Sequence, residues 1–168
     1  MDTLVTIKIT TPMGQMVAVA TPRRLVMLEF HDRVGLEQQI QKLARLFGSA
    51  VKTEKNQVLE RLESQLSEYF MGHRQQFDLP LLMMGTPFQK QVWTQLRKIP
   101  FGETRTYKEQ SEQLGNLRAI RAVASANGRN QLAIVIPCHR VIGTDGKLTG
   151  YAGGIERKRA LLELESQA

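Results

Sequence analysis

A chain of 168 residues is long enough for one sizeable core or two small ones, and a hydrophobic content of 42% excludes a disordered polyelectrolyte. No window approaches the roughly 20 apolar residues of a bilayer span, and "MDTLVTIKIT" lacks the segments of a secretory signal, so a cytoplasmic protein without a membrane partner is expected. The formal charge of +7 is uneven: the first 80 residues hold 10 Lys and Arg against 9 Asp and Glu, and the remainder 13 against 7. That basic half fits either a polyanionic partner or a plainly solvated face.

Val5, Ile7 and Ile9 alternate with polar residues, Val17 and Val19 resume the alternation after a turn at TPMG, and LVMLEF follows a turn at TPRR. The pattern predicts a small antiparallel meander. Leu36, Ile40, Leu43 and Phe47, then Leu59, Leu62, Leu66, Tyr69 and Phe70, recur at helical spacing, and FDLPLLMMG reads as an extended connection. A first domain is therefore expected over residues 1–85 and a second over 86–168.

In the second domain, Thr86 can cap a helix, Pro87 fits its first position and Gln89 completes a capping box. Phe88, Val92, Leu96 and Ile99 form the stripe expected to be buried, with Trp93 as a further core residue. Thr106 and Glu109 repeat the capping device, starting a helix that runs to about Leu114. A turn at Gly115 and Asn116 and a helix from about Leu117 to Ala126 complete the spacing of a helix-turn-helix. The expected fold class is α+β: an antiparallel sheet plus helices, followed by a mainly helical domain containing a helix-turn-helix. Small residues at Ala119, Ala122, Ser125 and Ala126 permit close approach to another surface. Arg118 and Arg121 add cations to the same helix, which in a basic half favours a DNA-facing role over two solvated arginines.

The single cysteine excludes an intramolecular disulfide, and His31, His73 and His139 have no zinc-site spacing with it, so no structural metal is expected. Cys138 follows LAIVI, a run suited to a buried strand, and Pro137, which cannot donate to a sheet ladder. The thiol is thus expected where a strand ends and a loop begins, with His139 and Arg140 next in sequence. Cations near a thiol favour its nucleophilic thiolate. Adjacency in sequence leaves open whether His139 reaches the sulfur through a turn or through a water.

PCHRVIG followed by GYAGG, and preceded by TPFQKQVW, IPFGET, TY and RAVASANGRN, resembles the methylated-DNA–protein-cysteine methyltransferase family, the O6-alkylguanine-DNA alkyltransferases, from Thr86 to about Glu165. The resemblance implies a ribonuclease-H-like first domain and no cofactor. It implies that Cys138 accepts an alkyl group from guanine O6, that His139, oriented by Glu165, takes the thiol proton through a water, and that Asn130 braces the turn. Tyr107 would donate to the leaving guanine, and Arg121 would fill the space of a flipped nucleotide beside Arg118, Ile120 and Ala122 on the DNA-facing helix. Val141, Tyr151 and Gly153 would wall the base pocket. The implied partner is double-stranded DNA containing alkylated bases, O4-alkylthymine among the candidate lesions, bound by a monomer with cooperative assembly on DNA left open. Gln131, Leu117 and Ile120 depart from the family's usual proline, proline and alanine, and Gln110 and Ser111 from apolar residues or alanine. A non-catalytic lesion sensor or DNA-binding regulator is the alternative, against which the retained Cys138 argues. A cysteine hydrolase would need an oxyanion hole and turnover, which this pattern does not supply.

Overall fold

Three antiparallel strands, β1 (Leu4–Thr11), β2 (Gly14–Ala20) and β3 (Leu25–Phe30), form where turns break the early apolar runs, in a computed structural model that describes residues 3–167. A fourth strand, β4 (Val51–Thr53), pairs parallel to β1 and gives the order β3-β2-β1-β4. The meander was legible in the pattern, whereas β4 is three residues long, two of them polar and exposed, and left no periodic signal. The connection clips the outer edge of β3: Leu25 donates to Pro80 O at 2.8 Å and Leu82 to Leu25 O at 2.9 Å. Those bonds satisfy backbone groups that an open edge would leave for another chain.

Helix α1 (Leu36–Phe47) lies between β3 and β4 in sequence, and α2 (Gln57–Phe70) follows β4. Asn56 caps α2 by accepting the Leu59 N–H at 3.0 Å, and its amide donates to Thr21 O at 3.0 Å. Val58, Leu59, Leu62, Leu66 and Tyr69 are the buried face of α2. These elements belong to a unit ending at Met83; a second unit begins at Met84.

The second unit contains α3 (Pro87–Leu96), β5 (Arg105–Thr106), α4 (Tyr107–Gln113), α5 (Ile120–Gly128), β6 (Val141–Ile142) and α6 (Ile155–Ser166). Both capping boxes form: Thr86 with Gln89 at 3.1 and 2.9 Å, and Thr106 with Glu109 at 3.1 and 3.0 Å. Val92, Trp93, Leu96 and Ile99 are buried, but Phe88 is not; it sits in the exposed first turn of α3 beside Pro87 and Lys90. The Trp93 indole N–H donates to Ala126 O at 2.8 Å and ties α3 to α5.

LAIVI does not form the expected strand. Residues 132–136 fold back in tight turns, because Asn130 supplies the partners a sheet would have supplied: its Oδ1 accepts Leu132 N–H at 2.9 Å and its Nδ2 donates to Ile136 O at 2.8 Å. Ile134 sits at φ 72° inside a three-residue turn closed by Val135 N–H to Ala133 O at 2.8 Å. A positive φ is a strained conformation for a β-branched residue, and burial of the side chain holds it there.

One buried charge in the first unit has a measurable consequence. Glu29 in β3 is 2% exposed, pairs with Arg33 at 2.7 Å and accepts from the Gln39 amide at 3.0 Å. Burial pushes its carboxyl up to about 6, against the pull of Arg33 and Gln39. The folded state therefore holds the proton more tightly, a stabilisation complete below about pH 4.5 that is lost as pH rises through 6. In urea unfolding, the stability of Glu29→Gln relative to the natural chain should improve by about 2 kcal/mol between pH 4 and pH 7, which an unchanged difference would contradict.

Candidate active site

Cys138 is positioned by backbone before side chains act on it. Its N–H closes a three-residue turn around Pro137 onto Ile136 O at 2.8 Å, with Pro137 at φ −82° and ψ 63°, close to an inverse γ-turn. Cys138–Arg140 then form one 3₁₀ turn that leads into β6. The parallel pairing of β5 with β6, Arg105 with Val141 and Thr106 with Ile142, sets Tyr107 at the start of α4 beside that turn.

The Asn130 amide that pins the preceding loop also donates to Cys138 Sγ at 3.3 Å. A donor aimed at sulfur favours the thiolate over the thiol. His139 is fully buried, and its Nε2 lies 2.7 Å from Glu165 Oε2. Arg140 adds two bonds to the same carboxylate, Nε to Oε1 at 2.7 Å and a terminal nitrogen to Oε2 at 3.0 Å, and a third to Ile99 O at 2.7 Å. Burial would raise the Glu165 carboxyl, but the bonds from His139 and Arg140 outweigh it and hold the group far below the usual carboxylate range. Glu165 is therefore an anion that can only accept, so the imidazole proton resides on Nε2. Burial pushes His139 below its ordinary value despite Glu165, which keeps the imidazole neutral and leaves the Nδ1 lone pair available. Nδ1 is buried with no hydrogen-bond partner among the described residues.

Above the sulfur is a cavity of about 510 Å³, lined by Cys138, Tyr107, Ile120, Arg121, Tyr151 and parts of α5 and the Thr144–Ala152 loop. The Tyr107 hydroxyl donates to Thr149 O at 3.1 Å, and burial raises its pKa, so the phenol keeps its proton. Arg118, Arg121 and Ala122 are exposed on one helical segment whose Val123, Ala126 and Asn127 face inward. Gln110 and Asn127 exchange two buried amide bonds at 2.9 and 2.8 Å and lock α4 against α5. A polar residue at position 110 is thus accounted for by a polar partner.

The structure brings Cys138, Asn130 and Tyr107 together and groups His139 with Glu165. Ile120 and Tyr151 reach the cavity. Val141 is fully buried in β6, and Gly153 gives its carbonyl to Arg157 at 3.1 Å; neither lines the cavity. Sequence reasoning missed Lys158, whose side chain is buried in α6 and whose ammonium donates to Thr149 O at 2.9 Å, 5.8 Å from the Tyr107 ring centre. In ERKRA it reads as one more surface cation, and only the tertiary fold distinguishes it. Burial lowers its pKa, while negative charge on Cys138 opposes that shift, so ammonium and thiolate support each other. Among the described residues no group of three His, Cys, Asp or Glu side chains is placed to hold a metal ion, and no helix is long and apolar enough to cross a membrane.

Comparison with known proteins gives a consistent result. The profile described as "6-O-methylguanine DNA methyltransferase, ribonuclease-like domain" matches residues 4–83, and that described as "6-O-methylguanine DNA methyltransferase, DNA binding domain" matches residues 87–167. The methylated-DNA–protein-cysteine methyltransferase of Mycobacterium tuberculosis is 59% identical over 101 residues, 60% of this chain and 61% of the relative. That of Methanosarcina acetivorans is 52% identical over 112 residues, 67% of this chain and 72% of the relative. The alignment to the mycobacterial relative thus spans less than two thirds of its length. Among solved structures, Mycobacterium tuberculosis OGT in complex with DNA superposes with a TM-score of 0.85 at 40% identity, covering 97% of this chain and 93% of that one. The O6-methylguanine-DNA methyltransferase of Pyrococcus kodakaraensis superposes at 0.68 with 26% identity, covering 96% and 98%.

The buried carboxylate generates a prediction independent of any reaction. Glu165→Gln removes the counter-charge of Arg140 inside the protein, so urea unfolding of the full chain should show a loss of about 3 kcal/mol. A loss below about 1 kcal/mol would mean that the network contributes little to holding the fold together.

Proposed function

This chain belongs to the methylated-DNA–protein-cysteine methyltransferase family, and we propose that it repairs DNA by moving the alkyl group of an O6-alkylguanine onto Cys138, once per molecule. The observation that carries the reading is the single cysteine sulfur at a cavity whose wall includes the exposed Arg121 of α5. The division of labour follows the chain, with residues 1–85 as a supporting ribonuclease-H-like domain and 86–168 as the alkyltransferase and DNA-binding domain. In the latter, α4 and α5 act as the helix-turn-helix. The setting is the cytoplasm, where a lone thiol stays reduced.

The target atom lies within the base stack, so the nucleotide must be extruded, which costs less for a poorly paired alkylated guanine. Arg121, beside the cavity and exposed, occupies the vacated stack, while Arg118, Ile120 and Ala122 rest on the duplex. The thiol proton passes through a water to the His139 Nδ1 lone pair. The Asn130 amide stabilises the resulting sulfur anion. Sulfur attacks the alkyl carbon in line, the S–C bond forms as the C–O bond breaks, and the electron pair leaves with the guanine. Tyr107 turns its hydroxyl from Thr149 to the leaving base and stabilises the charge developing there. The product is a thioether with no bond labile to water, so no turnover follows. Glu165 acts by fixing the imidazole tautomer.

Intact-protein mass spectrometry after incubation with duplex DNA containing O6-methylguanine should show one added methyl, mapped to Cys138. Cys138→Ser should show none while retaining duplex binding, because a serine hydroxyl is far less nucleophilic at neutral pH. Transfer by the serine variant would remove the assignment.

Arg121 separates repair within DNA from reaction with any accessible alkyl donor. Its truncation to alanine raises the cost of extrusion, so the single-turnover rate on duplex should fall by tenfold or more, on the order of 1.4 kcal/mol, while the rate on free O6-alkylguanine holds. Equal rate ratios on the two substrates would retire the stacking role and leave the cysteine chemistry standing.

A further inference from the structure

The DNA-facing segment carries two large apolar side chains that no packing explains. Leu117 is 52% exposed and Ile120 37% exposed. Leu117 begins a 3₁₀ turn and Ile120 begins α5 directly after it, and a spacing of three residues in such a turn superposes side chains on one face. Ile120 also lines the cavity that holds Cys138 and is adjacent to Arg121. Residues 117–130 contain three arginines, Arg118, Arg121 and Arg129, all exposed, and no carboxylate.

We propose that Leu117 and Ile120 form an apolar wedge that enters a groove of the duplex beside the extruded nucleotide and holds the duplex open together with Arg121. The inference rests on the repair reading above and concerns how the duplex is opened. The surrounding arginines fit the phosphates, and within that charged frame only the sugar faces and base edges offer an apolar partner. Position fits as well, since Ile120 stands where the duplex surface meets the cavity, so its side chain meets the sugar of the nucleotide that passes inward. These are positioning residues: neither touches the reacting atoms.

The test uses the full chain and two substrates, duplex DNA with O6-methylguanine and a 2-aminopurine next to it, and free O6-benzylguanine. Ile120→Ala should slow Cys138 alkylation from duplex about tenfold more than it slows the free-base reaction, and lower the 2-aminopurine fluorescence that reports unstacking. Leu117→Ala should act in the same direction by about threefold, and Ile120→Met should restore both readouts. Combining Ile120→Ala with Arg121→Ala should cost less than the product of the single effects, because both hold the same opening. Equal losses on both substrates, a faster duplex reaction in Ile120→Ala, or an unchanged fluorescence signal would overturn the wedge. So would sedimentation showing a dimer of the free protein that Ile120→Ala dissolves, since the face would then belong to a second copy. A natural chain whose Cys138 stays unalkylated by either substrate defeats the repair reading itself, and the wedge with it.

Discussion

Glu165 is a carboxylate taken almost wholly out of water, and its two oxygens accept three charge-assisted bonds, one from His139 and two from Arg140. Removing such a group from solvent is costly, and the three donors that meet its oxygens offset that cost. The bonds fix more than charge. Arg140 continues to Ile99 O just after α3, so one carboxylate in the last turns of α6 ties that helix, the 3₁₀ turn Cys138–Arg140 and the segment following the first helix of the unit together. The imidazole is consequently held in one tautomer, with its lone pair on Nδ1. Even Gly102 serves this approach: at φ 82° it passes so close that an added Cβ would stand 3.3 Å from Glu165 O.

The loop that delivers the sulfur is organised on the opposite principle. Glu165 acts through charge, whereas Asn130 acts through backbone: one amide replaces two ladder bonds, converts an apolar run into consecutive tight turns, and spends its remaining capacity on Cys138 Sγ. The strain at Ile134 is sustained because the residue and its neighbours are buried. A sulfur fixed on such a turn would need little reorganisation on meeting a substrate.

How much of this could be read from the chain depends on the range of each interaction. Both capping boxes are contained in four residues, and the sequence predicts them without error because nothing distant competes. The meander and the two helices of the first unit follow from periodicity. The strand expected at LAIVI fails because its apolar composition fits a strand and a buried turn equally, and the deciding group, Asn130, precedes it and acts through a side chain. Helix α6 passes unnoticed for a related reason: of its buried residues Lys158, Leu161 and Glu165, two are charged, so the inward face does not look apolar. Site residues near Cys138 in sequence, or carried by the family motif, were within reach. Lys158 was not, since its burial and its contacts with Thr149 O and the Tyr107 ring come from the tertiary fold.

The Thr149 carbonyl shows why that lysine belongs to the site. It accepts from the Tyr107 hydroxyl and from the Lys158 ammonium together. Thr149 itself is exposed, so water can also reach this carbonyl when a donor leaves it. With two donors, the phenol can turn away and the carbonyl stays satisfied by the stronger, charged bond. Tyr107 is thus held by an acceptor that keeps a second donor if the phenol rotates away. The same ammonium lies where a negative charge on Cys138 would raise its pKa, so one buried cation bears on both the sulfur and the hydroxyl that shares its acceptor.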